Sequence, residues 1–101
     1  MKVEPLGSHE LGLMRGIFCR HAEIVSVTLF GSRAKGTHTE RSDVDLAVSG
    51  DIDTLQAEAI AAELDELPLP LRFEVQAMDH IHHRALLDHI KRVGITLYSK
   101  S

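Results

Sequence analysis

The sequence predicts an α/β or α+β fold in which helices pack on one face of a small mixed β-sheet. Helix-like and strand-like hydrophobic patterns alternate along the chain in the order α-β-(turn or short helix)-β-α-β-α-β. The chain has 101 residues, of which 44% are hydrophobic and 26% are charged. This size and composition are typical of one globular domain, so we expect a single domain over residues 1–101.

The first half of the chain predicts one helix followed by two strands. Ser8 can cap the helix, whose apolar residues recur at helical spacing: Leu11, Met14, Ile17 and Phe18. The short, β-branched run Glu23–Phe30 predicts a buried strand that ends at Gly31. In Asp43–Ser49 polar and apolar side chains alternate, which predicts a second strand that ends at Gly50.

A second helix is predicted after this strand. Asp53 and Gln56 resemble a capping box, and the helix is expected to continue to about Leu67, where the Pro-Leu-Pro run stops it. Its apolar stripe is predicted from residues at helical spacing: Leu55, Ala59 and Ala62.

The last part of the chain predicts a strand, a helix and a final strand. Leu71–Met78 alternates, which is typical of a half-buried strand. Asp79 can cap a helix that runs through Val93 and ends at Gly94. The apolar run Ile95–Tyr98 then predicts the final strand.

The composition excludes several classes of protein. The formal net charge of -4 lacks the basic footprint of a nucleic-acid-binding protein, which argues against nucleic acid as the main partner. Cys19 is the only cysteine, so no internal disulfide forms, and we expect it to be a buried, small apolar side chain. The first ten residues lack an apolar signal region, and no apolar run approaches the length of a membrane span. We therefore expect a cytoplasmic protein without membrane contact.

The connection between the first two strands combines a Gly-Ser turn with two aspartates. Gly31 permits a tight turn, and the backbone N–H groups after it can hold phosphate oxygens. Asp43 and Asp45 project to the same side of a strand, where their carboxylates can share a divalent cation. Oxygen ligands of this kind suit Mg²⁺, which takes further ligands from water and substrate phosphates. Because like charges on one strand face repel, the pair favours a metal site over two solvated side chains.

Glu74 is the third candidate acid. It lies on the polar side of its alternating strand, together with Arg72 and Gln76. If this strand neighbours the one that carries the aspartates, Glu74 can complete a two-metal site or take a proton from the attacking group. A salt bridge with a neighbouring basic side chain is the alternative interpretation.

The histidines near the last helix receive a simpler interpretation. His80, His82 and His83 do not share one helix face, and His89 lies two turns beyond His82. We therefore interpret these side chains as surface histidines rather than as metal ligands.

The Gly-Ser pair, ten further residues and then Asp-Val-Asp form the G-S-x10-D-x-D signature of the polymerase-beta-like nucleotidyltransferases. Arg33 after the serine, the preceding apolar strand and the later "RFEVQAMD" strand agree with it. The chain resembles the stand-alone minimal nucleotidyltransferase (MNT) family of this superfamily, most clearly over Leu29–Val48.

The resemblance implies the fold of that superfamily and a transfer of a nucleoside monophosphate, in this case AMP from ATP. It implies that Gly31 and Ser32 hold the nucleotide's phosphates, with Arg33 or Lys35 offsetting the charge of the leaving pyrophosphate. It also implies that Asp43, Asp45 and Glu74 form the catalytic site and hold one or two Mg²⁺ ions. The usual third acid of the family is aspartate, which is one methylene shorter than glutamate.

The resemblance further implies a protein acceptor. In the MNT family this is a helical HEPN-domain toxin, a ribonuclease encoded alongside, and the nucleotidyltransferase acts as its antitoxin by attaching AMP to a tyrosine. Two alternatives stay open: an antitoxin or nucleotide-binding subunit without catalysis, and an enzyme that modifies a small molecule. The second would need an acceptor pocket built between subunits of a homo-oligomer.

Overall fold

The computed structural model describes residues 6–39 and 41–100, which form four strands, four helices and one 3₁₀ turn. In chain order these are α1 (Ser8–Arg20), β1 (Ile24–Phe30), α2 (Ser32–Lys35), β2 (Val44–Gly50), α3 (Thr54–Asp65), β3 (Phe73–Ala77), the 3₁₀ turn Met78–His80, α4 (Arg84–Val93) and β4 (Ile95–Ser99). The predicted order of elements is confirmed, and the short helix α2 occupies the connection between the first two strands. None of the helices in the described part of the chain has the length and apolarity that crossing a bilayer requires.

The strands form a mixed sheet in the order β3-β2-β1-β4. β1 pairs antiparallel with β2 and with β4, whereas β2 pairs parallel with β3. Parallel neighbours need a crossover connection, and α3 provides it between β2 and β3. The register pairs Asp45 with Phe30 on one side and with Glu74 on the other. Directly paired residues project to the same face of a sheet, so these three side chains form one row.

The main core lies between the sheet and the helices α1 and α3. The apolar face of β2 is buried as its alternation predicted, with Val44, Leu46 and Val48 at most 1% exposed. The helices contribute Met14, Ile17 and Phe18 from α1 and Ala57, Ile60 and Leu64 from α3. Burial of a large aliphatic or aromatic side chain is worth about 1.5–3 kcal/mol, so this layer provides most of the apolar stabilisation.

The opposite face of the sheet is covered in part by α4. A smaller buried cluster there contains Phe30, Ala47, Ile81 and Ile90, with Leu86 and Leu87 packed against it. The expectation that the helices share one face therefore holds for α1 and α3 but not for α4. The reason is Phe30 and Ala47, which leave apolar surface on the face that also carries Asp45. This arrangement brings α4 beside the candidate acids.

The predicted apolar stripe of α3 is wrong. Leu55 is 75% exposed, and the helix buries Ala57, Ile60 and Leu64 instead. The predicted stripe and the buried one both have helical spacing. The sequence pattern fits either, since α3 carries apolar residues on more than one side. The face with Ile60 and Leu64 buries more apolar area than a face of one leucine and two alanines, so that face packs inward.

Two helix starts differ from the prediction and one is confirmed. Gly7 is the N-cap of α1, so Ser8 is the first helical residue and makes no capping bond. Asp79 lies in the 3₁₀ turn, and α4 begins later, with the His83 side chain accepting a hydrogen bond from the Leu86 N–H. The extended backbone of Ile81, whose side chain is buried, separates the two segments. The capping box of Asp53 at the start of α3 is confirmed.

Cys19 is exposed, which corrects the expectation that it is buried. It directly follows Phe18, the last buried residue of α1. Adjacent residues of an α-helix project about 100° apart, so a side chain next to the buried stripe turns towards solvent.

Candidate active site

The turn after β1 depends on the absence of a side chain at Gly31. Gly31 has φ 78° and ψ -157°, a region of backbone space that is essentially restricted to glycine. It is the N-cap of α2, and its carbonyl accepts a hydrogen bond from the Lys35 N–H at 3.1 Å. The strand therefore reverses direction within one residue, and Ser32 begins the next helix at the edge of the sheet.

Gly31 also lies against the carboxylate of Asp45. A Cβ atom added at Gly31 would collide with Oδ2 of Asp45. The turn and the second aspartate of the Asp-Val-Asp sequence are thus in direct contact, although fourteen positions separate them in the sequence. The spacing of the two motifs has a geometric reason: antiparallel pairing of β1 with β2 sets Asp45 opposite Phe30, the residue before the glycine.

The three predicted acids come together at this edge. Asp43 directly precedes β2, Asp45 is its second residue, and Glu74 is the register partner of Asp45 on β3. Burial raises the pKa of Asp45, and the neighbouring carboxylates of Glu74 and then Asp43 raise it further. Among the described residues, no three or more His, Cys, Asp or Glu side chains are arranged to hold a metal ion by themselves. The site is therefore a concentration of negative charge rather than a closed cage of protein ligands.

Ser32 and Lys35 stand on the same side of α2, because residues three apart are neighbours on a helix. Ser32 is half-buried beside the turn and Lys35 is exposed. A hydroxyl and a flexible ammonium group thus share one side of the short helix that follows the turn.

Arg33 has a different environment from the one expected of a pyrophosphate ligand. It is 7% exposed, and its Nε and Nη2 donate hydrogen bonds to the Ser42 carbonyl at 3.1 and 2.9 Å. This pair of bonds ties α2 to the residue before Asp43. The structure thus gives Arg33 a role in holding the loop, and its contact with a nucleotide stays a prediction.

Replacement of Arg33 tests this role of the guanidinium group. In Arg33→Met the side chain keeps most of its length but loses its donors, so the free energy of unfolding should fall by about 1–3 kcal/mol. Chemical denaturation measures the difference. The exposed Arg92 in the last turn of α4 provides the control, since Arg92→Met should stay within about 0.5 kcal/mol of the unchanged protein. Equal effects of the two substitutions would contradict the assignment.

His89 is the site residue that the sequence analysis missed. Its Nε2 accepts a hydrogen bond from the Gly31 N–H at 3.0 Å, and its ring meets Phe30 edge-on. The interpretation as a surface histidine holds for His80, His82 and His83, which are exposed. A signal for His89 was present, because it lies three residues after Leu86 and directly before Ile90, next to the buried side of α4.

Residues 14–101 match the family model described as polymerase beta, nucleotidyltransferase. The chain belongs to this nucleotidyltransferase family. The matched range includes the Gly-Ser turn, both aspartates and Glu74. No curated protein sequence matches the chain.

Several solved structures with the same fold are of toxin–antitoxin complexes. A chain of a toxin–antitoxin with AMP-PNP has a TM-score of 0.73 at 19% identity, and the match covers 95% of this nucleotidyltransferase and 76% of that chain. A chain of the tri-AMPylated HEPN toxin of Shewanella oneidensis in complex with its MNT antitoxin has a TM-score of 0.69 at 16% identity, covering 91% and 71%. A chain of an MntA–HepT complex reaches 0.70 at 15% identity, covering 93% and 74%. These similarities confirm the polymerase-beta-like fold.

Proposed function

We propose that this protein is a single-domain Mg²⁺-dependent nucleotidyltransferase over residues 1–101 that transfers AMP from ATP to a HEPN-domain protein, as its antitoxin. The observation that carries the proposal is the group of acids Asp43, Asp45 and Glu74, here called the acidic row, directly beside the Gly31–Ser32 turn. Membership of the nucleotidyltransferase family supports the reaction class. The lone cysteine of the chain fits a reducing compartment, so we propose the cytoplasm as its location.

The donor set fits a divalent cation. Asp45 and its neighbours offer carboxylate oxygens. Burial, and then repulsion from Glu74 and Asp43, raise the pKa of Asp45, and a bound cation would offset both effects. We propose that Asp43 and Asp45 hold Mg²⁺ and that Glu74 contributes where a second ion binds. Mg²⁺ usually keeps several waters and shares substrate phosphates, so a few carboxylates suffice. When bound, the ion neutralises phosphate charge and polarises the reacting phosphoryl group.

The nucleotide would lie with its phosphates along the Gly-Ser turn. The hydroxyl and backbone N–H of Ser32 can donate to phosphate oxygens, and Lys35 on the same side of α2 can balance the charge of the pyrophosphate. The Gly31 N–H already donates to His89, so Gly31 contributes the shape of the turn rather than a donor. The turn thus needs glycine at position 31 for its shape, and Ser32 directly after it supplies the donors.

The transfer itself is an in-line displacement. An acceptor hydroxyl oxygen forms a bond to the α-phosphorus of ATP, the bond from that phosphorus to the bridging oxygen breaks, and pyrophosphate leaves. The acceptor loses its proton during the attack. We propose that Glu74 takes it, a role supported by its exposure and its position beside Asp45. The protein contributes mainly by positioning the reactants and by stabilising the charge of the transition state, because phosphoryl transfer needs little covalent participation of protein groups.

Glu74→Gln separates proton transfer from nucleotide binding. If Glu74 acts as the base, kcat should fall by about a hundredfold or more, while the affinity for a non-hydrolysable ATP analogue changes little. Glu66→Gln, at the exposed end of α3, is the matched control. Unchanged kcat in Glu74→Gln would contradict a role in the chemistry, and parallel losses of kcat and affinity would assign Glu74 to metal binding alone.

The acceptor is expected to be a separate protein. The described residues are used in the sheet and its helices, and the acidic row lies open at the sheet edge, with Asp43 and Glu74 exposed. The similar structures are complexes of toxins with antitoxins, one of them with an AMPylated HEPN toxin. A stable complex would bury at least about 1,000 Å² in total, and its surface should surround this edge so that a side chain reaches the α-phosphate.

Co-expression with the product of the neighbouring gene tests the partnership. We expect a helical protein to co-purify with this chain in size-exclusion chromatography. Separate elution would contradict the partnership and favour modification of a small molecule, with an acceptor pocket built in a homo-oligomer. A complex whose partner never carries a nucleotide would favour an antitoxin that acts by contact alone.

A further inference from the structure

We infer that His89 is a positioning residue, which holds the Gly31–Ser32 turn in the conformation that receives the nucleotide's phosphates. The inference deepens the proposed function and rests on it for the identity of the ligand. Its basis is a side chain–backbone hydrogen bond that joins α4 to the turn across 58 positions of sequence.

The hydrogen bond sets the orientation of the imidazole. The Gly31 N–H donates to Nε2 of His89 at 3.0 Å, so Nε2 is the acceptor in this bond. A backbone N–H at the start of a helix has no partner within that helix. For Gly31 the partner comes from α4 instead, which fixes the orientation of the peptide between Phe30 and Gly31.

The imidazole is itself held in place by packing. Its ring meets Phe30 edge-on, with a centroid distance of 6.2 Å and an interplanar angle of 82°. The next residue, Ile90, is 5% exposed within the cluster that attaches α4 to the sheet. The acceptor therefore belongs to a rigid element, which is the condition for positioning a binding group accurately.

The position of this bond connects it to the acids. Gly31 lies between His89, which accepts from its N–H, and Asp45, whose Oδ2 occupies the space that a Cβ would take. A rotation of the Gly31 peptide would move the first residue of α2, Ser32, relative to Asp45. We therefore expect His89 to act on the nucleotide through the turn.

Two substitutions at His89 separate the hydrogen bond from the packing. His89→Phe keeps an aromatic ring against Phe30 but removes the acceptor, whereas His89→Gln places an amide oxygen that can accept from Gly31. His82→Phe is the matched control, because His82 is exposed ahead of α4. The probe is a non-hydrolysable ATP analogue with Mg²⁺, and calorimetry gives its dissociation constant for each protein.

We expect the dissociation constant to rise about tenfold in His89→Phe, the scale of one lost hydrogen bond whose donor stays unsatisfied. His89→Gln should recover most of the affinity, and His82→Phe should match the unchanged protein. In steady-state transfer the loss should fall mainly on KM for ATP, because the acids that act on the reacting group remain. Amide exchange measured by NMR should show faster exchange at Gly31 in His89→Phe, with the exchange of β1 amides preserved.

Two results would overturn the inference. One is equal affinity in His89→Phe and the unchanged protein; the other is an equal loss in His89→Phe and His89→Gln, which would mean that the acceptor is irrelevant. Failure of the proposed function is seen separately. A protein that binds the analogue in a His89-dependent manner but transfers no AMP removes the transferase proposal and supports the inference. A protein that transfers AMP with no dependence on His89 supports the transferase proposal and overturns the inference.

Discussion

Asp45→Asn is expected to reduce AMP transfer by about a thousandfold or more, the scale of losing one electrostatic contact to the reacting group. The substitution removes a charged ligand from the centre of the acidic row, since Asp45 pairs with Glu74 and touches Gly31. The amide keeps the shape of the carboxylate, so the strand register and the turn should be preserved. Transfer of labelled AMP to the partner measures the effect.

The same variant should not lose stability at neutral pH. Burial, then Glu74 and Asp43, raise the pKa of Asp45 above its ordinary value of 3.8. The folded state therefore holds this proton more tightly than the unfolded chain does, and its stability falls as pH rises from that ordinary value through the raised one. At pH 7, which lies above that ordinary value, and without Mg²⁺, the folded state carries this electrostatic cost. Asp45→Asn removes it, so its free energy of unfolding should equal or exceed that of the unchanged protein at pH 7.

Asp51→Asn is the matched control for charge. Asp51 is exposed in the turn after β2 and lies outside the acidic row. Its substitution should leave transfer unchanged. Full transfer activity in Asp45→Asn would contradict the assignment of the site, and a large loss of stability at pH 7 would contradict the electrostatic description of it.

Gly31→Ala is expected to impair both the fold of the turn and the reaction. A residue with a side chain is strained by about 1–3 kcal/mol in the backbone conformation of Gly31. The new Cβ would also displace the carboxylate of Asp45, which lies in that space. We therefore expect a lower midpoint of thermal unfolding together with a loss of transfer that exceeds what the unfolded fraction explains. Thermal unfolding and transfer assays on the same preparation measure the two effects.

Gly12→Ala provides the control for this substitution. Gly12 lies within α1, and a Cβ there would have no heavy atom within 4 Å. Alanine is favoured over glycine in a helix by about 0.5–1 kcal/mol, so Gly12→Ala should be at least as stable as the unchanged protein and fully active. If Gly31→Ala behaves in the same way, the turn does not require glycine and the description of the site is wrong.

The features that the sequence predicted correctly depend on local patterns. Alternation along β2 placed Val44, Leu46 and Val48 in the core and Asp45 on the other face, because strand side chains alternate strictly. The same rule placed Glu74 on the polar side of β3. The capping box at Asp53 was also correct, since it involves only a residue and the third one after it.

The features that were missed, or predicted only conditionally, depend on packing between distant segments. The apolar residues of α3 fit two faces, and only the area buried against the sheet decides that Ile60 and Leu64 face inward. The pairing of Asp45 with Glu74 was conditional on β2 and β3 being neighbours, which no local pattern states. The hydrogen bond from Gly31 to His89 needs α4 on the acid-bearing face, and this position follows from the apolar surface that Phe30 and Ala47 leave there.

The central claim is that the acidic row beside the Gly31–Ser32 turn transfers AMP to a protein. The most direct measurement is the intact mass of the co-purified partner after incubation with this protein, ATP and Mg²⁺. We expect the partner to gain the mass of AMP, with no gain when Mg²⁺ is chelated or when Asp45→Asn replaces the unchanged protein. A partner that binds this protein and yet keeps its original mass with ATP and Mg²⁺ present would contradict the claim.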